Sequence, residues 1–107
     1  MTGLVLIRIT KNTNEHDAIM REGDFVFGPS STINLLLNHS NVWHNVTMDY
    51  KVSSVEELKR CRSGYVRYHF FERASFGGFD RRLVSKVSAL DYIKSYGIAN
   101  YEKPNYR

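Results

Sequence analysis

The chain is predicted to be a single α+β domain, and three observations predict that class. It has 107 residues, enough for one domain with its own core. Hydrophobic residues make up 42% and charged residues 24% of the chain, a balance typical of globular proteins and not of disordered ones. Runs of strand length alternate with segments that carry helix-capping signals, and no repeat or linker separates them. We expect a small mixed or antiparallel sheet, two or three short helices, a hairpin at about 64–86, a C-terminal helix at about 88–97 and a tail over 98–107.

The first elements are predicted from a short apolar run and a capping pattern. Residues 3–10 are apolar and rich in β-branched types, and the run is too short for a typical helix, so it predicts a buried strand. Asn12 with Glu15 three residues later is typical of a helix start, and Gly23 of a helix end. A short helix is therefore predicted over residues 13–22.

The next segment predicts a strand followed by a helix. Residues 25–27 are Phe-Val-Phe and predict an extended segment, which the following Gly28 and Pro29 interrupt. Ser30 or Ser31 can then cap a helix that ends near residue 39.

A second strand and helix pair follows in the middle of the chain. Residues 44–52 alternate weakly, with Val46, Met48 and Tyr50 on one side, as in a half-exposed strand. The run Ser54-Val55-Glu56-Glu57 matches the capping box, in which the serine hydroxyl and the glutamate carboxylate satisfy each other's backbone donors. A two-turn helix to about Cys61 is predicted.

The second half predicts a β-hairpin. Residues 65–76 and 79–84 favour strands, and Gly77-Gly78 between them is typical of a two-residue turn. This turn would set Phe70 opposite Ser85 and Arg73 opposite Arg82.

That register gives the hairpin two different faces. The apolar face comprises Val66, Tyr68, Phe70, Phe76, Phe79 and Leu83. The basic and aromatic face comprises Tyr65, Arg67, His69, Phe71, Arg73, Arg82, Val84 and Lys86. A final helix, capped by Ser88 and ended by Gly97, is expected to cover the apolar face.

Charge is unevenly distributed along the chain and predicts an acidic partner for its second half. The net charge is +4; residues 1–53 carry four basic against five acidic residues, and residues 54–107 carry eleven against six. Residues 59–82 alone hold seven of the fifteen basic residues and six of the fourteen aromatics.

Several classes of protein are excluded or disfavoured. Cys61 is alone, and no secretion signal or membrane-length apolar run is present, so a cytoplasmic protein without a membrane association is expected. The histidines and Cys61 lack zinc-site spacing, and Gly77-Gly78 lacks the residues of a phosphate loop. We assign no catalytic residue, metal or cofactor.

The function predicted from these residues is non-catalytic binding of nucleic acid or a nucleoprotein assembly. Arginine contacts phosphate and aromatic rings stack on bases, so cations interleaved with rings suit that partner. The predicted binding residues are Tyr65, Arg67, His69, Phe71, Arg73, Arg82 and Lys86.

Two alternatives use the same residues. Arginine and tyrosine also anchor protein interfaces, so the chain could be an inhibitor or adaptor of the phage or mobile-element type that docks on an acidic groove of a larger enzyme. A histidine among arginines could also cleave RNA without a metal, with His69 as the acid–base group. The choice between DNA, RNA and protein, the sequence specificity and the oligomeric state stay open.

Overall fold

The described residues form one mixed sheet of five strands with helices on both of its faces. This computed structural model describes residues 3–15, 20–38, 41–42, 45–71, 79–99 and 101; for residues 68–71 and 79–82 the description covers the backbone pairing. The elements in chain order are β1 (Val5–Asn12), β2 (Phe25–Gly28), α1 (Ser30–Asn38), β3 (Met48–Val52), α2 (Val55–Arg60), β4 (Tyr65–Phe71), β5 (Phe79–Ser85) and α3 (Lys86–Tyr96). The strand order is β3-β1-β2-β4-β5, and β2 and β4 are the parallel pair. The predicted α+β class is confirmed.

Strand β1 lies near the centre of the sheet and divides the core into two clusters. Its side chains alternate between the two faces because successive residues of a strand point in opposite directions. On one face, Val5, Ile7 and Ile9 pack with residues of α1. On the other, Leu6 and its neighbour Leu4 pack with residues of α2 and α3. The helices contribute Ile33, Leu36 and Leu37 to the first cluster and Leu58, Ala89 and Ile93 to the second.

The helix predicted in the middle of the chain is confirmed, and the strand predicted over residues 44–52 is confirmed for Met48–Val52, whereas residues 45–47 are not part of it. Met48 and Tyr50 of β3 are both buried, on the side that the alternation predicted. Ser54 caps α2, since its hydroxyl accepts a hydrogen bond from the Glu57 N–H at 3.2 Å. The sequence was sufficient to predict this helix start because a capping box involves only four consecutive residues.

The predicted helix over residues 13–22 is wrong for the residues that the structure describes. Strand β1 continues to Asn12, whose Oδ1 accepts from the Asn14 N–H and whose Nδ2 donates to the Met20 carbonyl. The asparagine therefore closes a side-chain turn instead of capping a helix. Gly23 lies in the following loop with φ of 93°, and residues 16–19 lie outside the described part of the chain.

The C-terminal helix is confirmed, but its cap differs from the prediction. Ser85 caps α3 by accepting from the Ser88 N–H at 3.1 Å, so the helix begins three residues earlier than Ser88 would place it. Gly97 ends the helix with a positive φ of 79°, a backbone angle that glycine adopts without a steric penalty. None of the helices in the described segments has the length and apolar character needed to cross a membrane.

Part of the predicted tail is docked on the domain. Ile98 forms a parallel bridge with Leu4. The hydroxyl of Tyr101 donates to Asn34 Oδ1 and lies 2.8 Å from the hydroxyl of Tyr50. Residues 100 and 102–107 lie outside the described residues.

The predicted register of the hairpin is wrong. Phe70 lies opposite Asp80 and not Ser85, while Ser85 lies opposite Tyr65. The predicted Gly77-Gly78 turn falls in residues 72–78, which the structure does not describe. Because the pairing differs by an odd number of residues, the two faces of β5 exchange places.

The exchange is visible in the exposure of two β5 residues. Leu83 was predicted on the apolar face, but it is 53% exposed and lies opposite Arg67. Val84 was predicted on the basic face, but it packs against the cluster that α2 and α3 share with Val66. The faces of β4 itself were predicted correctly, since Val66 is buried and Tyr65 is 60% exposed.

Candidate functional site

The structure brings only some of the predicted binding residues together. Tyr65 and Arg67 share one side of β4, and His69 and Phe71 follow at the same two-residue spacing. Arg82 pairs with Tyr68, whereas Arg67 pairs with Leu83. The backbone pairing therefore sets Arg82 and Arg67 in consecutive cross-strand pairs and not in the same one. Arg73 lies outside the described residues.

Lys86 occupies a structural position at the start of α3. Its ammonium donates to the carbonyls of Cys61 at 2.7 Å and Lys59 at 3.2 Å, which are at the C-terminal end of α2. A cation at this end of a helix satisfies carbonyls that lack a partner within the helix and interacts favourably with the helix dipole. The backbone N–H of Lys86 also donates to the Gly64 carbonyl at 2.7 Å. Lys86 therefore holds the end of α2 and the loop after it against α3.

The loop from residue 61 to 64 is fixed by further hydrogen bonds. The Ser63 hydroxyl donates to the Tyr65 carbonyl at 2.9 Å and accepts from the Tyr65 N–H at 3.2 Å. The Cys61 thiol lies 3.5 Å from the Ser63 carbonyl. These contacts and those of Lys86 set the position of Arg62 and of the exposed Tyr65 at the start of β4.

An arginine-lined cleft of about 520 Å³ lies at the end of the sheet where β2 and β4 begin. We call it the arginine cleft. Its lining includes Arg8, Asp24, Phe25, Arg62, Tyr65 and Arg67. A smaller adjoining cleft shares Arg8, Phe25 and Arg62 and adds Arg60 and Glu57 from α2. The two clefts together bring four arginines to one end of the sheet.

Arg8, Arg60 and Arg62 line the two clefts but were not among the predicted binding residues, and Arg8 is the farthest of them from the basic and aromatic stretch in sequence. Its Nε donates to the Gly23 carbonyl at 3.2 Å, and its guanidinium lies 5.2 Å from the centre of the Phe25 ring. A cation over an aromatic face gains about 0.5–1 kcal/mol at an exposed site. In the sequence, Arg8 is the only charged residue of an apolar strand run, so its guanidinium must reach solvent or a binding partner. Its proximity to Arg62 depends on the fold.

The arginines of the two clefts lack carboxylate partners within the described residues. No ion pair there involves Arg8, Arg60, Arg62 or Arg67. The carboxylate of Asp24 accepts from the Arg21 N–H at 3.0 Å. The positive charge of the clefts therefore exceeds the negative charge, with four arginines against two carboxylates.

The second carboxylate, Glu57, is committed to α2 and its neighbour strand. Its Oε2 lies 3.5 Å from the Lys51 Nζ and accepts from the Ser53 hydroxyl at 3.2 Å. Desolvation acts to raise the pKa of Glu57, but the Lys51 ammonium and hydrogen bonds from Ser54 and Ser53 outweigh it and lower the pKa below the ordinary 4.5. Glu57 is thus ionised at neutral pH and paired away from the arginines.

The side chains of the site are groups that recognise a ligand by hydrogen bonding, charge or stacking. Among the residues described, no group of three or more histidine, cysteine or acidic side chains could hold a metal ion. The arrangement supplies guanidinium donors for anions, an exposed tyrosine ring, and the exposed Leu83 beside Arg67.

Comparison of the chain with protein families, with curated proteins and with solved structures finds no match. The function of the chain must therefore be inferred from the residues of the arginine cleft and its surroundings.

Proposed function

We propose that the protein binds nucleic acid through the arginine cleft. The observation that carries the proposal is that Arg8, Arg62 and Arg67 line one cleft together with the exposed Tyr65 and have no carboxylate partner among the described residues. Guanidinium groups bind phosphate oxygens in two-pronged geometry, and an exposed ring can stack on a base. Arg67 and Tyr65 remain from the residues predicted on sequence, and Arg8 and Arg62 of the same cleft join them, whereas Arg60 lines the adjoining cleft.

The roles proposed for the remaining predicted residues differ. His69 and Phe71 follow Tyr65 and Arg67 along the backbone of β4 and stay predicted binding residues. Lys86 supports the loop that carries Arg62 and is not proposed as a phosphate contact, because two carbonyls accept from its ammonium.

A binding titration tests the proposal. Fluorescence anisotropy of labelled DNA and RNA oligonucleotides at about 50 mM salt should show saturable binding by the unmodified chain. One released counterion is worth about eightfold in affinity at this salt concentration, from a slope of about −0.7 per single-strand contact. Arg62→Gln and Arg67→Gln should each weaken binding by about that factor.

The matched control is Lys94→Gln, which removes the same charge from the exposed side of α3, away from the cleft. It should change the affinity by less than twofold, about the effect of a distant screened charge. The proposal is rejected if no oligonucleotide binds at low salt, or if Arg62→Gln and Arg67→Gln behave like Lys94→Gln.

A second candidate function is docking on an acidic protein surface, as an inhibitor or adaptor would. Leu83 favours it, because a half-exposed leucine opposite Arg67 is better suited to a protein groove than to a phosphate backbone. Affinity capture from a cell lysate, with and without nuclease treatment, separates the two candidates. Partners that remain after nuclease treatment favour the protein target, and partners that are lost favour nucleic acid.

A further inference from the structure

We infer that the arginine cleft takes single-stranded nucleic acid in preference to duplex, with a base stacked on Tyr65 and phosphates held by Arg62 and Arg67. The inference rests on the proposed nucleic-acid function and specifies the form of its ligand. Three features of the described residues carry it: the exposed ring, the spacing along β4 and the character of the helices.

The exposed ring of Tyr65 is suited to stacking on the face of a base. Tyr65 is 60% exposed, while its backbone is fixed by two hydrogen bonds to Ser63. In a duplex each base face is covered by its neighbours, and a bound protein meets base edges and the sugar–phosphate backbone. In a single strand the bases can separate, and aromatic side chains stack on them. Tyr65 is therefore suited to an unpaired base.

The spacing of Tyr65 and Arg67 suits a base and a neighbouring phosphate of the same strand. Two residues along a β-strand are separated by about 6.6 Å. A base stacked on Tyr65 therefore has an adjacent phosphate within reach of the Arg67 guanidinium. Arg62 lies before Tyr65 in the chain and lines the same cleft, where it can hold the phosphate on the other side of the base.

The described helices lack the features of a recognition helix for duplex DNA. A helix that enters the major groove carries basic and polar side chains along one exposed face. Helix α1 contains no lysine or arginine, and α2 has six residues, a length of about 9 Å. In α3 the basic residues are Lys86, whose ammonium binds carbonyls of α2, and Lys94 in the last turn. The arginine cleft, in contrast, is concave and within the size range of a small-ligand site.

The test compares one sequence in four forms. Labelled oligonucleotides of about twelve residues are prepared as single-stranded DNA, single-stranded RNA, duplex DNA and duplex RNA, and anisotropy is measured with the full chain at about 50 mM salt. The single strands should bind at least about tenfold more tightly than the duplexes. The DNA and RNA arms identify which single strand is preferred.

Substitutions at Tyr65 report on stacking. Tyr65→Ala should weaken single-strand binding roughly 5- to 150-fold, the range observed when a stacking aromatic is removed, and should leave duplex binding nearly unchanged. Tyr65→Phe should retain most of the affinity, because it keeps the ring. Tyr96→Ala removes a tyrosine that is 52% exposed on α3 and should have little effect on binding.

The outcomes separate this inference from the proposed function. Equal affinity for single strands and duplexes, or a Tyr65→Ala chain that binds single strands as well as the unmodified chain does, overturns the inference and leaves nucleic-acid binding in place. No binding to any of the four forms overturns both. Circular dichroism of each variant establishes that a loss of affinity is not a loss of fold.

Discussion

Lys86→Met separates a structural role of this lysine from the binding role that its sequence position predicted. Methionine keeps much of the aliphatic stem but removes the ammonium, and with it the hydrogen bonds to the carbonyls of Cys61 and Lys59. A charge-assisted hydrogen bond contributes about 1.5–3 kcal/mol, and a cation at a helix C-terminus about 0.3–1 kcal/mol. Lys86 is partly exposed, and its hydrogen bond to the Lys59 carbonyl is long at 3.2 Å. Energies near the lower ends of these two ranges therefore apply.

The expected loss is therefore about 2 kcal/mol in the free energy of unfolding, with a Tm lower by about 10 °C for a domain of this size. Urea unfolding followed by circular dichroism measures it, and the m-value should not change. Lys94→Met is the matched control, because it removes the same charge from the same helix; it should cost less than about 1 kcal/mol.

Nucleic-acid affinity completes this test. At a temperature where both variants are folded, Lys86→Met should keep the same dependence of affinity on salt as Lys94→Met, since its ammonium positions the loop that carries Arg62 and is not proposed to contact phosphate. The structural role is refuted if Lys86→Met is as stable as the control and loses affinity as Arg67→Gln does. That result would restore Lys86 to the binding residues.

Three other substitutions test the fold around the site. Tyr101→Phe removes the hydrogen bonds to Asn34 and Tyr50 and should lower the free energy of unfolding by about 1–2 kcal/mol, measured against Tyr96→Phe in urea. Gly3→Ala should destabilise by more than about 1 kcal/mol, because φ is +113° and an added Cβ would lie 3.0 Å from the Ala99 nitrogen; Gly64→Ala, where nothing lies within 4 Å, is its control. The pKa of Glu57 is lower in the folded chain than in the unfolded chain, so its ionised carboxylate stabilises the fold at a pH above the unfolded-state pKa. That contribution is lost as the pH falls through the folded-state pKa. The stability difference between the unmodified chain and Glu57→Gln should therefore shrink from about pH 6 to pH 3, and a constant difference would contradict the pairing.

The sequence predicted those parts of the fold that depend on neighbouring residues. The capping box of α2 is complete within Ser54 to Glu57, and the alternation of Met48 and Tyr50 is local to one strand. Asn12 gave a wrong prediction because the same side chain can cap a helix or close a turn. The continuation of β1 through Asn12, opposite Met48 of β3, decided between these roles, and strand pairing is not encoded in the capping pattern.

The faces of the hairpin could be predicted for one strand and not for the other. The exposure of Tyr65 and burial of Val66 follow from alternation within β4. The prediction for the faces of β5 depended on the turn. A two-residue Gly-Gly turn predicted a register in which Leu83 lies on the buried face. The observed pairing of Leu83 with Arg67 reverses that assignment.

The arginine cleft itself could be predicted only in part. Arg62 and Arg67 lie in the basic and aromatic stretch that the composition indicated. Arg8 joins them because β1 and β2 are neighbours, with Arg8 paired to Phe25, and β4 lies next to β2. Such a contact is separated by more than fifty residues and requires the sheet order, which could not be derived from the sequence.

The salt dependence of binding to a single-stranded oligonucleotide tests the central claim most directly. If Arg8, Arg62 and Arg67 contact phosphates, a plot of log affinity against log salt should have a slope of about −2, from about −0.7 per contact. The triple substitution of these residues by glutamine should bring the slope close to zero in a chain that remains folded. A triple variant that keeps the slope of the unmodified chain would contradict the claim that the unpaired arginines of the cleft bind the nucleic-acid backbone.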